Sequence, residues 1–384
     1  MGDSVAIIGA GQTDHNSRRL DVSAPELIDE AVQRALIDAD MGPDGIDAIV
    51  VGNMEHFEGI HLSDLWAVEG TGGIGKPHLK VATGGTTGSS LAQAAYYLVS
   101  SGMFRNVMAV GWERLSDSEG ETTTGIVTAF DPIYERPTLA GAVSGLAVFG
   151  MQYLEAYHPT PEDAANVVVL ARENAEKNPH AHLKQRVTVE EVVESPMLST
   201  PIRYLDMCPT SDGAAAVIFS SDPGNRSSAW VKAVSSCHNN TYLGDVAEGS
   251  AGYKHSLRIA AAKAYQQAGI TNPRKEFDVV EMYEPCTWAA LDWVESLGLA
   301  EPGKGSELWK SGAARIDGEI PINPSGGVLC TNPIGATGLI RVVEASLQVR
   351  GRCGDRQVDN VKTACTTGFG GSFWNEVMIL GVEK

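Results

Sequence analysis

The sequence predicts an α/β protein of two similar halves, each a βαβ succession containing a glycine-rich turn that runs into a helix. Three observations carry that expectation. In Val81–Leu98, VATGGTTGSSLAQAAYYL, a β-rich approach meets a small-residue turn and then an alanine-rich helix. In Asn332–Leu347, NPIGATGLIRVVEASL, Gly335-Ala-Thr-Gly338 opens a helix whose Ile340, Val343 and Leu347 share one face, much as Gly85-Thr-Thr-Gly88 opens the first. Around both turns, short apolar strands alternate with amphipathic helices, the mark of a mostly parallel, helix-covered sheet. Two such turns aimed at one centre place a site at the junction of the halves. Unpaired N–H groups at a helix N-terminus suit an oxyanion or phosphate, although a glycine turn between strand and helix is also an ordinary structural device.

Taken in order, Val5-Ala-Ile-Ile-Gly-Ala-Gly reads as a buried strand. Its Gly-x-Gly is weak evidence for a dinucleotide site, because the third glycine is missing and the helix waits until Ser23, which forms a capping box with Glu26. Leu27, Ile28, Ala31, Val32, Ala35 and Leu36 then recur at helical spacing, and Gly45–Gly52 returns as a strand. Asn106–Gly111 is the strand after the central helix. The pattern loosens from about Trp112 to Pro201, which reads as an inserted loop region lying over the site, with a helix at Pro161–Glu176. Asp212–Phe219 restores the sheet, and Asp222–Ser228 reads as a linker. The second half repeats the rhythm: strand Ala229–Ser235, helix Ser256–Ala268 stopped by Gly269, strand Phe277–Met282, and helix Thr287–Leu297 stopped by Gly298. After the second glycine turn come Asn360–Thr367, a loop Gly368–Gly371 and a closing strand Asn375–Val382. The halves are accordingly drawn as 1–225, including the loop region, and 226–384.

A net charge of −19 argues against nucleic acid as a partner, since phosphate neutralisation needs clustered Lys and Arg. Lys76 and Lys80, just before the central turn, are the nearest local cations for an anion, or simply a solvated pair. No run of about 18 apolar residues and no basic-then-apolar start occur, so the expectation is a cytoplasmic protein without a membrane span. The six cysteines, all at or beyond position 208, include no CxxC pair, which argues against disulfides and against a zinc site in this chain.

Cys208-Pro-Thr-Ser-Asp-Gly-Ala-Ala-Ala-Val-Ile, Gly326–Gly338, the GGTTGSS turn and Gly368-Phe-Gly-Gly371 together resemble the thiolase superfamily, and within it proteins similar to sterol carrier protein thiolases. The resemblance spans nearly the whole chain. It implies the five-layer αβαβα thiolase fold, two βαβαβ halves with pseudo-twofold symmetry, a homodimer, and action on coenzyme A thioesters, coenzyme A arriving as part of the substrate and no cofactor being bound. It also implies a small zinc-ribbon and OB-fold partner protein.

The departures from the family pattern change the chemistry. The turn of a thiolase holds a nucleophilic Cys, and here Gly85 stands in its place. Thr86 and Thr87 have hydroxyls of high pKa and cannot substitute. Tyr283, in Tyr283-Glu-Pro-Cys286, matches the usual histidine, and Thr331-Asn332-Pro333 matches the usual Gly-His-Pro. A thiolase fold so altered resembles the retro-aldolases of steroid side-chain breakdown, which cleave a β-hydroxyacyl-CoA to a ketone or aldehyde and a shortened acyl-CoA. That reaction needs a base at the hydroxyl and an oxyanion hole for the thioester enolate. Tyr283 is assigned to the hydroxyl proton, Glu284 to an orienting or alternative base role, and Asn332 with Gly84, Gly85, Thr86 and Gly370 to the oxyanion.

Tyr283 directly follows a buried strand, so a core tyrosine is the alternative. His56, at the end of the Gly45–Gly52 strand, occupies a position where α/β folds present site residues. Cys365, Cys330 and Cys286 are candidates for proton transfer, or small buried cysteines. Two other function classes compete with the lyase: an atypical thiolase or acyltransferase, and a non-catalytic acyl-CoA-binding subunit.

Overall fold

The computed structural model describes residues 4–57, 62–118, 126–139, 141–239, 242–243, 252–371 and 374–384. Parts of the loop region, 119–125 and 140, therefore lie outside the described residues. The strands are β1 (Ala6–Gln12), β2 (Ala48–Gly52), β3 (His78–Lys80), β4 (Asn106–Arg114), β5 (Met197–Ser199), β6 (Ile202–Arg203), β7 (Asp212–Ser220), β8 (Ala229–His238), β9 (Val279–Glu281), β10 (Thr363–Gly370) and β11 (Trp374–Gly381).

Strand order exposes the duplication. One half runs β3-β2-β4-β7-β1 and the other β8-β11-β10-β9, in mirrored sequence about the β1–β8 seam. That seam consists of two pairs, Ala6 with Trp230 and Ile7 with Ala229. Where β3 lies parallel to β2 in the first half, Ile322 makes a parallel bridge to Val280 in the second.

Alternation along the strands builds the layers, because successive side chains point to opposite faces. On β1, Ile7 enters the central core and Ile8 the outer one; on β7, Val217 and Phe219 go inward while Ala216 and Ile218 go outward. On β11, Met378 and Leu380 face the central core, and Val377 and Ile379 face the opposite outer layer. The central core also holds Leu91, Ala92 and Ala95 of the Thr87–Ser100 helix and Ala336, Leu339 and Ile340 of the Ile334–Val349 helix. These two helices are thus sandwiched between the sheets of the two halves, with the Ala24–Asp38 helix covering one outer face and helices Gly252–Ala268 and Thr287–Ser296 the other. The result is the expected five-layer αβαβα arrangement.

Local signals were sound where the backbone chemistry is local. Ser23 and Glu26 form the capping box, with Ser23 N–H donating to Glu26 at 2.7 Å, and the six apolar positions read from spacing are the buried face of that helix. Gly269 and Gly298 take positive φ where their helices stop.

The sheet is mixed and not mostly parallel, since β1–β7, β1–β8, β4–β7, β8–β11 and β10–β11 pair antiparallel, and three segments also differ from expectation. Gly335 and Gly338 lie inside the second central helix rather than in a turn before it. They are small for packing: a Cβ on Gly338 would sit 2.6 Å from Ser89 N, and one on Gly88 would sit 2.5 Å from Leu339 N. Gly368–Gly370 belongs to β10 instead of a loop, since Gly368 pairs with Glu376 and Gly370 with Trp374. The strand expected at Phe277–Met282 contracts to Val279–Glu281, matching its three-residue ladder with Ala364–Thr366.

Buried ion pairs tie the second central helix to its surroundings. Arg341 meets Glu281 of β9 at 2.5 Å, and Glu344 accepts from Arg356 and, at 2.6 Å, from Gln12 of β1. Breaking one partner of such a pair strands a charge in the interior, which is why these residues register the helix against both halves.

The close helix crossing yields a stability prediction. Gly88→Ala should lower the urea midpoint by an amount equivalent to about 1–3 kcal/mol of overpacking, whereas Gly42→Ala, which meets nothing within 4 Å, should move it by less than about 0.5 kcal/mol.

Candidate active site

The N-termini of the two central helices meet where Gly88 and Gly338 cross, which brings two partially positive helix ends to one place. At the first, Gly84–Thr86 forms a 3₁₀ turn ahead of the helix. Gly84 has φ +65°, a conformation glycine supplies cheaply. Gly85 is there for space: a Cβ would lie 2.6 Å from the Phe369 carbonyl oxygen and 3.4 Å from Gly370 Cα. Gly370 in turn lies against Thr86, whose hydroxyl donates to Thr83 O at 2.8 Å. Gly84, Gly85, Thr86 and Gly370 are therefore brought together as one backbone-lined corner.

The second helix end is already capped. Glu113 accepts from Gly335 N at 2.9 Å and from Met54 N at 3.0 Å, so a carboxylate fills the seat that an anionic ligand would use there. Beside this end stands a polar chain. Asn332 Oδ1 accepts from Thr337 Oγ1 at 2.8 Å, and Asn332 Nδ2 donates to Cys208 Sγ at 3.2 Å. The Tyr283 phenol lies near Thr337 and Cys208. The chain is directional: Thr337 to Asn332 to Cys208, with the second amide proton of Asn332 outside these hydrogen bonds.

Strand β10 joins the two clusters. Tyr283 N donates to Thr367 Oγ1 at 2.9 Å, and the Tyr283 ring lies 5.9 Å from that of Phe369, whose carbonyl faces Gly85. Burial, reinforced by Cys208, pushes the Tyr283 phenol far above its ordinary range, so it is neutral at physiological pH.

Glu284 is turned away from a base role. One oxygen accepts from Val328 N at 3.0 Å and from Leu329 N, and the other accepts from Asn323. It fastens the 323–330 loop that delivers Asn332, which is the orienting half of its assignment. Burial pushes its carboxyl up to about 8, against the pull of Arg341 and these donors.

The cysteines separate by placement. Cys286 begins the Thr287–Ser296 helix next to Cys208, and burial raises its thiol well above the ordinary range. Cys330 is enclosed in the core near Glu284 and pushed up to about 12. Cys365, also pushed up to about 12, is fully buried beside Tyr265, in the same apolar core that holds Tyr283 and Phe369. His56 is on the surface, packed edge-on against Phe57. Glu55 adopts a left-handed conformation and Phe57 buries against Leu115 and Ile334, so in the turn after β2 it is Phe57, and not His56, that packs on the second central helix. Lys76 donates to Ile46 O, and Lys80 is engaged by Glu55 and Asp64, so both cations have protein partners.

Sequence reasoning passed over Cys208 and Thr337. Both had a signal: Cys208 begins the Cys-Pro-Thr-Ser-Asp-Gly motif, and Thr337 sits in the second GATG, one helical turn beyond Asn332. His182 and Ser211 back them up, His182 Nδ1 lying 2.9 Å from Ser211 Oγ, which accepts from Asn332 N at 3.1 Å.

A five-layer αβαβα fold with converging helix ends and a buried polar chain defines a thiolase-type α/β enzyme. Residues 5–222 match the thiolase N-terminal domain and 245–382 the thiolase C-terminal domain-like family, and the chain belongs to the thiolase family. It is 34% identical to an acetyl-CoA acetyltransferase of Methanothermobacter thermautotrophicus, over 96% of each chain. It is 28% identical to sterol carrier protein 2 of Gallus gallus, over 97% of this chain and 71% of that one. The solved "Ltp2-ChsH2(DUF35) aldolase" superposes with TM-score 0.84 at 23% identity, over 100% of this chain and 99% of that one, a likeness of fold.

Glu284 gives a pH prediction. Its folded pKa of about 8 exceeds the ordinary 4.5, so the folded state holds the proton more tightly and this group's stabilisation falls as pH rises from about 4.5 through 8. In urea unfolding at pH 5.5, 6.5, 7.5 and 8.5, Glu284→Gln should show a smaller loss of stability with rising pH than the unaltered chain. Parallel pH profiles for the two would contradict this.

Proposed function

We propose that this chain is a thiolase-fold lyase that cleaves a β-hydroxyacyl-CoA by retro-aldol chemistry, releasing a ketone or aldehyde and a shortened acyl-CoA without an acyl-enzyme. The observation that carries this reading is Gly85, where a side chain would collide with the Phe369 carbonyl. The turn therefore lacks both the nucleophile and the room for it. The thiols near the site do not replace it, because partly exposed Cys208 and buried Cys330 are both pushed up to about 12 by desolvation and are not thiolates at neutral pH.

The remaining groups suit cleavage. Tyr283 is assigned to the β-hydroxyl: its neutral phenol, near Thr337 and Cys208, hydrogen-bonds and orients that hydroxyl, whose proton leaves to solvent water as the C–C bond breaks. The Asn332 amide and the Gly84–Thr86 turn at the first helix end hold the thioester oxygen as negative charge develops on it. Acyl transfer is the competing reading, favoured by the name of the archaeal relative. The proposal includes a second copy of this chain and a small zinc-ribbon and OB-fold protein as partners. Strand β3 is an edge strand, with Leu79 of that strand and the nearby Leu65 and Trp66 exposed, which suits pairing with a second copy.

The test is carbonyl release from a panel of β-hydroxyacyl-CoA thioesters, with sedimentation mass measured on the same samples. Tyr283→Phe and Asn332→Ala should each lower kcat by about 100- to 1000-fold, with KM changed far less. Release that survives both substitutions at full rate would overturn the assignment.

A further inference from the structure

We propose that Glu376, acting through the hydroxyls of Ser90 and Thr83, is the proton store of the site and supplies the proton that the α-carbon of the thioester enolate takes after cleavage. This rests on the lyase reading and deepens it, since that reading sends the β-hydroxyl proton to water and names no donor for the carbon.

Glu376 stands on β11, on the face shared with Met378 and Leu380 that is turned to the central helices, and β11 packs against the Gly84–Thr86 turn. Its side chain is buried, at 2% exposure. Ser90 Oγ donates to Glu376 Oε1 at 2.8 Å, and Thr83 Oγ1 donates to Ser90 Oγ at 2.8 Å. Oε2 is buried with no hydrogen-bond partner, the hydroxyl of nearby Ser89 being spent on Thr86 O at 2.9 Å. Glu376 therefore fastens no loop, in contrast to Glu284. At the outer end, Thr83 is half-buried and directly precedes the exposed Gly84. Its N–H donates to Thr87 Oγ1 at 2.9 Å and its carbonyl accepts from Thr86 Oγ1 at 2.8 Å, so the backbone is fixed and the hydroxyl alone is left to rotate. The turn it opens is the one that holds the thioester oxygen, and the α-carbon is two bonds from that oxygen. Burial pushes the Glu376 carboxyl up to about 7, against the Ser89 and Ser90 hydroxyls, so both of its forms are populated at neutral pH. The surroundings add little charge. Gly368 and Ser236, its ladder partners on β10 and β8, are uncharged. Tyr97, farther along the same helix, is a phenol raised by burial and by Glu376 itself. Arg341 and Glu344 of the second central helix are paired with Glu281 and Arg356, and the Gly252–Ala268 helix packs on the opposite face of β11.

The protons balance. As the Cα–Cβ bond breaks, its electron pair forms the enolate, the C–O bond at the β-carbon becomes the carbonyl, and the β-hydroxyl proton leaves to water. The enolate carbon then takes the Thr83 hydroxyl proton, and its electron pair becomes the new C–H bond while the thioester C=O re-forms. In the same step the Ser90 proton moves to Thr83 Oγ1 and the Glu376 carboxyl proton moves to Ser90 Oγ. Glu376 is left as the carboxylate, with Thr83 donating to Ser90 and Ser90 to Glu376, which is the direction the structure holds. One proton from water then enters at Thr83 and runs inward by the same route, restoring the acid. The proton released by the β-hydroxyl equals the one taken up.

The experiment is deuterium incorporation at the α-carbon of acetyl-CoA, propionyl-CoA and a longer acyl-CoA in D₂O, followed by mass spectrometry. It runs the delivery step backwards, the Glu376 carboxylate drawing the α-proton in through Thr83 and Ser90, and cleaves no C–C bond. The unaltered chain should exchange, at a rate that climbs with ionisation of Glu376 as pD rises from 5.5 and levels above about 7. Glu376→Gln and Thr83→Val should each lose at least about 100-fold of that rate and the climb with it. Gln matches the neutral form that burial favours, and Thr83→Val removes only a hydroxyl at a half-buried position, so unfolding midpoints separate lost chemistry from misfolding. Exchange at full rate in either variant, a rate flat with pD, or no exchange in the unaltered chain would overturn the proposal. Exchange without carbonyl release from any β-hydroxyacyl-CoA would sink the lyase reading and leave Glu376 as the proton store. Carbonyl release with undiminished exchange in both variants would do the reverse.

Discussion

The structure depends on two helices approaching at their N-termini closely enough that only glycine fits. Gly88 and Gly338 face each other with backbone atoms where side chains would be, and Gly111 lies against Gly335 in the same seam. Those contacts set the spacing of the layers and aim two helix ends at one corner. From that crossing follow the positions of Gly84–Thr86, of Asn332 just before the second helix, and of Thr337 in its first turns. A change of one methyl group in the seam moves backbone, because the neighbours are backbone atoms and not flexible side chains.

The same closeness fixes the electrostatics. A chain with net charge −19 builds its site from helix ends, an amide and hydroxyls, with its nearby carboxylates consumed in holding loops. Glu113 caps one helix and Glu284 anchors the loop carrying Asn332. Burial makes Cys208, Tyr283 and Glu284 prefer their neutral forms. Neutral donors in a dry corner stabilise charge that develops during reaction and do little for a covalent nucleophile, which must be ionised beforehand.

Much of the fold was legible because its signals are periodic and local: the capping box at Ser23, the apolar spacing from Leu27 to Leu36, and the helix-stopping glycines. The duplicated order of elements was legible too, since both halves use the same succession. The meaning of the second glycine turn was not. Gly335 and Gly338 look like a ligand loop in sequence, and only the facing helix reveals that they serve packing. The site was half visible. Tyr283 and Asn332 announce themselves by standing in family motifs, whereas Thr337 and Cys208 acquire meaning from hydrogen bonds across 124 positions of sequence or fewer that no spacing rule encodes. His56 was less legible for the converse reason: a strand end presents a side chain only as the following turn allows, and after the left-handed Glu55 it is Phe57 that packs inward while His56 is exposed.

The central claim is that catalysis here proceeds without an acyl-cysteine. Intact-protein mass spectrometry after brief incubation with acyl-CoA and β-ketoacyl-CoA thioesters, with the zinc-ribbon partner added where one is found, tests it most directly. An unchanged protein mass is the predicted result. A stable acyl adduct mapping to any of the six cysteines would contradict the account and return the chain to covalent thiolase chemistry.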